Sequence, residues 1–153
     1  MNHRISAGAI VIESRKVLLV RHMIKGKYDF RVPPGGGVID EEGILAASVR
    51  GAREESGLET EAIRPIYLKE FYEPTTHHIK TWILCKLIGG AISVSAPEAA
   101  RENIVEARFF SDSDISNEDR VIFPPLLRDC FWEDLSKGFT TMKYLGIHAM
   151  THY

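Results

Sequence analysis

The segment Pro33-Pro34-Gly35-Gly36-Gly37 constrains this chain more than any other. Two prolines cannot continue a sheet ladder, and three glycines admit positive φ, so the segment is predicted to be a sharp, structured loop. Directly beyond it, from Glu41 to Ser56, the apolar residues Ile44, Leu45, Ala47, Val49 and Ala52 fall largely at helical spacings, and Gly57 stands where a C-cap would. A glycine loop running into a helix is therefore expected from Gly36 to Leu58.

The flanking sequence supplies strands. Ile5 to Ile12 and Val17 to His22 are rich in valine and isoleucine and separated by the polar turn Glu13-Ser14-Arg15-Lys16, which reads as a hairpin. Phe30 to Val32 leads into the loop. Ala62 to Tyr72, His78 to Leu87 and Ile104 to Phe110 are strand-like, Gly89-Gly90 marks a turn, and Glu98 to Asn103 is a charged loop or short helix. Pro124-Pro125 opens a second expected helix, running to about Lys137. The tail from Phe139 to Tyr153 carries no clear pattern, and its His148, His152 and Tyr153 read as a flexible end. Without repeats, low-complexity tracts or linkers, the 153 residues are expected to form a single domain of the mixed, layered α/β class.

Composition narrows the classes further. Apolar content of 44% and charged content of 26% are those of a soluble globular protein, which disfavours disorder and fibres. A net charge of -2 argues against an extended nucleic-acid surface. Cys85 and Cys130 form no metal-ligand spacing and are expected to be reduced and packed in the interior. No stretch approaches the ~20 apolar residues of a membrane span, and the N-terminus lacks a signal peptide's apolar run, so no membrane association and a cytoplasmic location are expected.

Within the helix, Arg50 and Glu54 are four apart and can pair across one turn, and Glu55 follows, rotated about 100° around the axis. Adjacent carboxylates near a glycine loop suit magnesium or manganese, and the loop can add a main-chain carbonyl. Taken alone, Glu54-Glu55 reads as a solvated face and the glycines as a turn. The full register is the specific signal: Gly36, five residues, Glu42, seven residues, then Arg50-Gly51-Ala52-Arg53-Glu54-Glu55-Ser56-Gly57-Leu58.

That register resembles the Nudix box, G-x5-E-x7-R-E-U-x-E-E-x-G-U with U aliphatic. The resemblance implies a Nudix-like α/β/α sandwich with a mixed sheet. It also implies Mg2+ (or Mn2+) as cofactor and a nucleoside diphosphate linked to another moiety as substrate, cleaved by water attack on phosphorus. On this basis Glu54, Glu55, Glu42 and the Gly36 carbonyl are expected around the metal, with Glu42 serving as ligand, helix-start support or partner of an outer-sphere water. Arg50 would orient the carboxylates.

The box departs from the pattern at Gly51, where the family has glutamate. Two readings follow. An active enzyme would take its base from elsewhere, with Glu102, or its neighbours Glu98 and Glu106, standing where the family often places one. Otherwise turnover is weak or lost, and the chain binds a nucleotide-like ligand as a sensor.

Arg21, Lys27 and Arg31 could meet phosphate or be solvated, and Tyr28 and Phe30 could stack on a base or pack in the rim. His77 and His78 should point to opposite faces of a strand. Substrate identity is left open, as is the assembly state, a homodimer included.

Overall fold

The computed structural model describes residues 1–150. Its strands are β1 (Asn2–Glu13), β2 (Lys16–Ile24), β3 (Tyr28–Val32), β4 (Gly35–Gly37), β5 (Leu58–Glu73), β6 (Thr76–Gly90), β7 (Ile104–Phe110), β8 (Val121–Ile122) and β9 (Lys143–Ala149). Its helices are α1 (Ile44–Ser56), α2 (Pro97–Arg101), α3 (Asp112–Asn117) and α4 (Phe131–Ser136). All nine strands join one mixed sheet, whose main path runs β8-β3-β2-β1-β6-β5-β9.

The expected hairpin forms, but its strands soon part. β1 and β2 pair only at Ile12↔Val17 and Glu13↔Lys16, around Ser14 and Arg15 at positive φ. Beyond that point β3 takes the place of β1 beside β2, and β4 pairs with β1 instead. Pro33 and Pro34 bridge the gap between β3 and β4, where a missing N–H costs no ladder bond. The glycine loop is thus itself a short strand, in the register Ser6↔Gly37, Ala7↔Gly36 and Gly8↔Gly35. Where the two halves of the sheet separate, a cavity opens.

Helix α1 covers one face, setting Ala47 and Ala52 against Ala7, Ala9, Val11 and Ile83. Apart from Glu55 its buried side is made of small residues, so it lies close to the sheet: a Cβ added at Gly51 would stand 2.8 Å from the Gly35 Cα. Gly57 ends the helix at φ 77°, with its N–H donating to the Arg53 carbonyl. On the opposite face Leu127, Phe131 and Trp132 pack against Ile10, Leu19, Tyr67 and Trp82. Helices on both faces of a mixed sheet make the α/β/α sandwich.

Two expectations near the C-terminus are corrected. The helix foreseen from Pro124 to Lys137 is broken into a 3-10 turn, Pro125–Arg128, and α4, because Asp129 leaves helical geometry at φ -134°, ψ -109°. The segment read as a flexible end forms β9, parallel to β5, with His148 opposite Phe71 and the Met150 N–H donating to the Tyr72 carbonyl at 2.9 Å. His152 and Tyr153 lie outside the described residues. No helix among the described residues is long and apolar enough to cross a membrane.

Candidate active site

The cavity at the split has a volume of about 370 Å³ and is floored by Gly35, Gly36 and Gly37. Glu55 reaches it from the last turn of α1, and Glu102 from the end of α2. Glu55 is only 6% exposed and accepts a 2.9 Å hydrogen bond from the Gly35 N–H through Oε1. Burial pushes its carboxyl up to about 8, the Gly35 N–H offsets part of that rise, and the nearby Glu102 charge adds to it. A carboxylate so placed is held where its charge most needs a cation.

Glu54, its neighbour in sequence, points elsewhere. Its Oε2 accepts from Arg50 Nη1 at 3.1 Å. Arg50 also donates from Nε and Nη2 to the two oxygens of Glu42, at 2.8 and 2.9 Å, and from Nη2 to the Gly37 carbonyl at 2.8 Å. This pairing holds Glu42 below its ordinary carboxyl pKa. Glu42, expected among the metal donors, is therefore spent on Arg50 and on the Ile39 N–H, and neither it nor Glu54 lines the cavity. Arg50 staples the glycine strand to the helix.

Of the three loop glutamates, only Glu102 lines the cavity. Glu98 is near Arg101, and Glu106 pairs with Arg31 and Arg108. The cations considered for phosphate are engaged or remote. Arg21 makes two hydrogen bonds to Asp29, Arg31 is buried against Glu106 and Glu118, and Lys27 sits in an exposed turn. Phe30 does line the cavity, its ring stacked on His22 with centroids 5.0 Å apart, while the Tyr28 hydroxyl accepts from Asn103.

His22, Ser6 and Lys80 also line the cavity and carried no sequence motif. His22 donates from Nδ1 to the Glu102 carbonyl at 3.0 Å, which ties β2 to the loop bearing that glutamate. Burial lowers the His22 pKa. His77 and His78 do face opposite sides: His77 meets Glu70, and His78 meets Ser6. Strand alternation alone could have placed His78 and Lys80 on one face; nothing local pointed to Ser6 or His22.

Residues 2–129 match the NUDIX domain family. The chain belongs to the Nudix family. As a Nudix-type enzyme it is a hydrolase of pyrophosphate bonds. Its fold is similar to that of a Nudix hydrolase from Nitrosomonas europaea, at 18% identity and a TM-score of 0.77, over 97% of this chain and 80% of that one. A UDP-X diphosphatase follows at 18% identity and 0.70, over 94% and 67%. An ADP-ribose pyrophosphatase from Streptococcus suis gives 20% and 0.61, over 95% and 98%. No curated protein matches this Nudix chain.

Proposed function

We propose that this Nudix chain hydrolyses a nucleoside diphosphate linked to another moiety, by water attack on a phosphorus of its pyrophosphate, with Mg2+ or Mn2+ as cofactor. The supporting observation is the pair of carboxylates, Glu55 and Glu102, meeting at one cavity beside the glycine strand. A buried carboxylate and a main-chain carbonyl are oxygen donors that leave most of a cation's coordination to water and phosphate, which suits a hard cation that keeps several waters. Bound by Glu55 and a main-chain carbonyl of the glycine strand, with Gly36 the expected one, that cation would offset phosphate charge and lower the pKa of a bound water, with Glu102 kept as the base.

The remaining work falls to the chain's own groups. Glu102 takes the proton from the attacking water, and the His22 contact to its carbonyl fixes the segment that carries it. The Gly35 N–H fixes one oxygen of Glu55 and leaves the other for the site. Arg50, through Gly37, Glu42 and Glu54, keeps the glycine strand from shifting. Glu42 and Glu54 thus act through Arg50 as positioning residues.

A second reading, a ligand-binding domain without turnover, draws on Gly51. Any side chain there meets the Gly35 backbone, so the helix position where the family carries a glutamate is closed to one. A panel of nucleotide pyrophosphates, with magnesium and with manganese, separates the two. Released phosphate, pyrophosphate or mononucleotide, lost in Glu55→Gln, is the expected result. Binding without products would give the second reading, and unchanged turnover in Glu55→Gln would remove Glu55 from the mechanism.

A further inference from the structure

The cavity has another end, built entirely from strand register. β1 and β6 run parallel with Arg4↔His78 and Ser6↔Lys80 paired, and alternate residues of a strand share a face. These four side chains therefore form a two-by-two block on one side of the sheet, and all four line the cavity. β5 widens the block, because Lys69 stands opposite Lys80 and Phe71 opposite His78. With strands roughly 4.8 Å apart, Arg4, Lys80 and Lys69 project from a patch about 10 Å across.

This grouping runs against sheet stability. Like charges directly opposite across a strand pair repel, and Lys69 and Lys80 are such a pair. Their stems are held along the sheet by aromatic rings: the Lys69 ammonium lies 5.2 Å from the Phe71 centroid, and that of Lys80 5.5 Å from Trp82. Burial lowers the Lys69 pKa, as expected for a cation held in a half-buried place. Lys80 also interacts with the Glu55 carboxyl across the cavity, and a phosphate over the block would set a further anion beside both ammonium groups.

Ser6 and His78 supply the hydrogen bonding. Ser6 Oγ and His78 Nε2 are 2.7 Å apart, both residues are buried, and His78 Nδ1 has no hydrogen-bond partner. Burial, with Arg4 and Lys80 nearby, takes His78 down to about 4, so the ring is neutral near pH 7 and carries one N–H. A buried orphan N–H is rarer than a buried orphan lone pair. The proton therefore belongs on Nε2, donated to Ser6, and the Ser6 hydroxyl proton is left for an acceptor in the cavity. A hydroxyl donor flanked by cations matches a phosphate oxygen.

We propose that the block formed by Arg4, Ser6, Lys80 and Lys69 binds a phosphate of the substrate beyond the bond that is cleaved. The preferred substrates are then nucleotides carrying such a further phosphate, nucleoside triphosphates among them, over nucleoside diphosphates capped by a neutral sugar. This rests on the hydrolase reading above for the position of the cleaved bond.

Binding and turnover are measured separately on the intact chain. Inorganic tripolyphosphate, titrated by calorimetry with magnesium present, should bind about tenfold more weakly to Lys80→Gln and less tightly to Lys69→Gln, the loss of one charge-assisted contact. Affinity unchanged in both variants overturns the subsite. In turnover, the ratio of kcat/KM for a nucleoside triphosphate to that for the matching diphosphate sugar should fall about tenfold in Lys80→Gln, mainly through KM. Equal losses on both substrates overturn the subsite and leave hydrolysis standing. If the unaltered protein turns over neither substrate, the hydrolase reading fails, and the calorimetric titration alone decides the subsite.

Discussion

Arg50 and Arg31 each gather two carboxylates, but from different distances along the chain. The partners of Arg50 lie at most 13 residues away, whereas Glu106 and Glu118 stand 75 and 87 residues from Arg31. Exposure differs too: the Arg50 side chain is 20% exposed and that of Arg31 4%. Arg31 sits 4.7 Å from the Phe110 ring centroid and ties β3 to β7 and to the loop before β8. Its cluster closes the fold. The Arg50 cluster shapes one short strand beside a cavity, so its loss should register in turnover more than in stability.

The largest stability effect is therefore expected at Arg31. Arg31→Ala leaves Glu118, only 6% exposed, with Arg120 as its remaining side-chain partner, and breaking a buried pair costs roughly 3–5 kcal/mol. Urea unfolding measures it, and a loss below about 1 kcal/mol, the range of exposed pairs, would erase the contrast. Next comes Glu55, on the Arg50 side of the comparison. Its folded carboxyl is raised from an ordinary 4.5 to about 8, so between those values the folded chain holds more proton than the unfolded one. Stability from this group is full below about pH 4.5 and is lost as pH rises to about 8. Glutamine does not titrate and still offers an oxygen to the Gly35 N–H. With metal chelated, Glu55→Gln should be a few kcal/mol more stable than the parent at pH 8, a gain that shrinks toward pH 5. A parent whose stability is level between pH 5 and pH 8 would contradict the burial of Glu55.

The same contrast explains what could be read from sequence. The box spacing gave Arg50 its Glu54 partner, since four residues on a helix bring side chains together. α1 was legible because its buried residues Ala47, Ser48, Gly51 and Ala52 recur at helical spacing, and β7 because it is a short, largely apolar run; its buried residues Ile104, Ala107 and Phe110 stand three apart and do not share one strand face. What stayed hidden depends on pairing at long range. The glycine segment looked like a loop, yet it is a strand because β1 is free to pair with it once β2 turns to β3. Ser6 and His78 are 72 residues apart and meet through parallel pairing that no local pattern encodes. The tail gave no signal, because the strand it extends, β5, sets its register. Gly51 was read as a lost carboxylate; the structure adds that its missing side chain is the room in which α1 meets Gly35.

Gly51→Ala probes that room. A methyl 2.8 Å from the Gly35 Cα presses backbone on backbone, and overpacking of this kind costs roughly 1–3 kcal/mol. Alanine in a helix returns about 0.5–1 kcal/mol. The net expectation is a loss of about 1 kcal/mol, with a fall in turnover because Gly35 carries the N–H that holds Glu55. A stabilised Gly51→Ala would mean that α1 and β4 separate freely, and the rigid floor assigned to the cavity would go with it.

The smallest stability change is expected at Arg50, where it sharpens the comparison most. Arg50→Gln removes hydrogen bonds to Glu42, Glu54 and the Gly37 carbonyl, but all three lie near solvent, so the cost should stay near 1 kcal/mol. Turnover should fall by an order of magnitude or more, since the released Gly37 loosens the strand beneath Glu55 and small misplacements of reacting groups are costly, about 10²-fold for 1 Å. Unfolding and kcat are read on the same preparation. If Arg50→Gln costs as much stability as Arg31→Ala while kcat per folded molecule is unchanged, Arg50 is a second structural clamp. A large kcat loss on a stable fold instead separates an arginine that positions the site from one that closes the sheet.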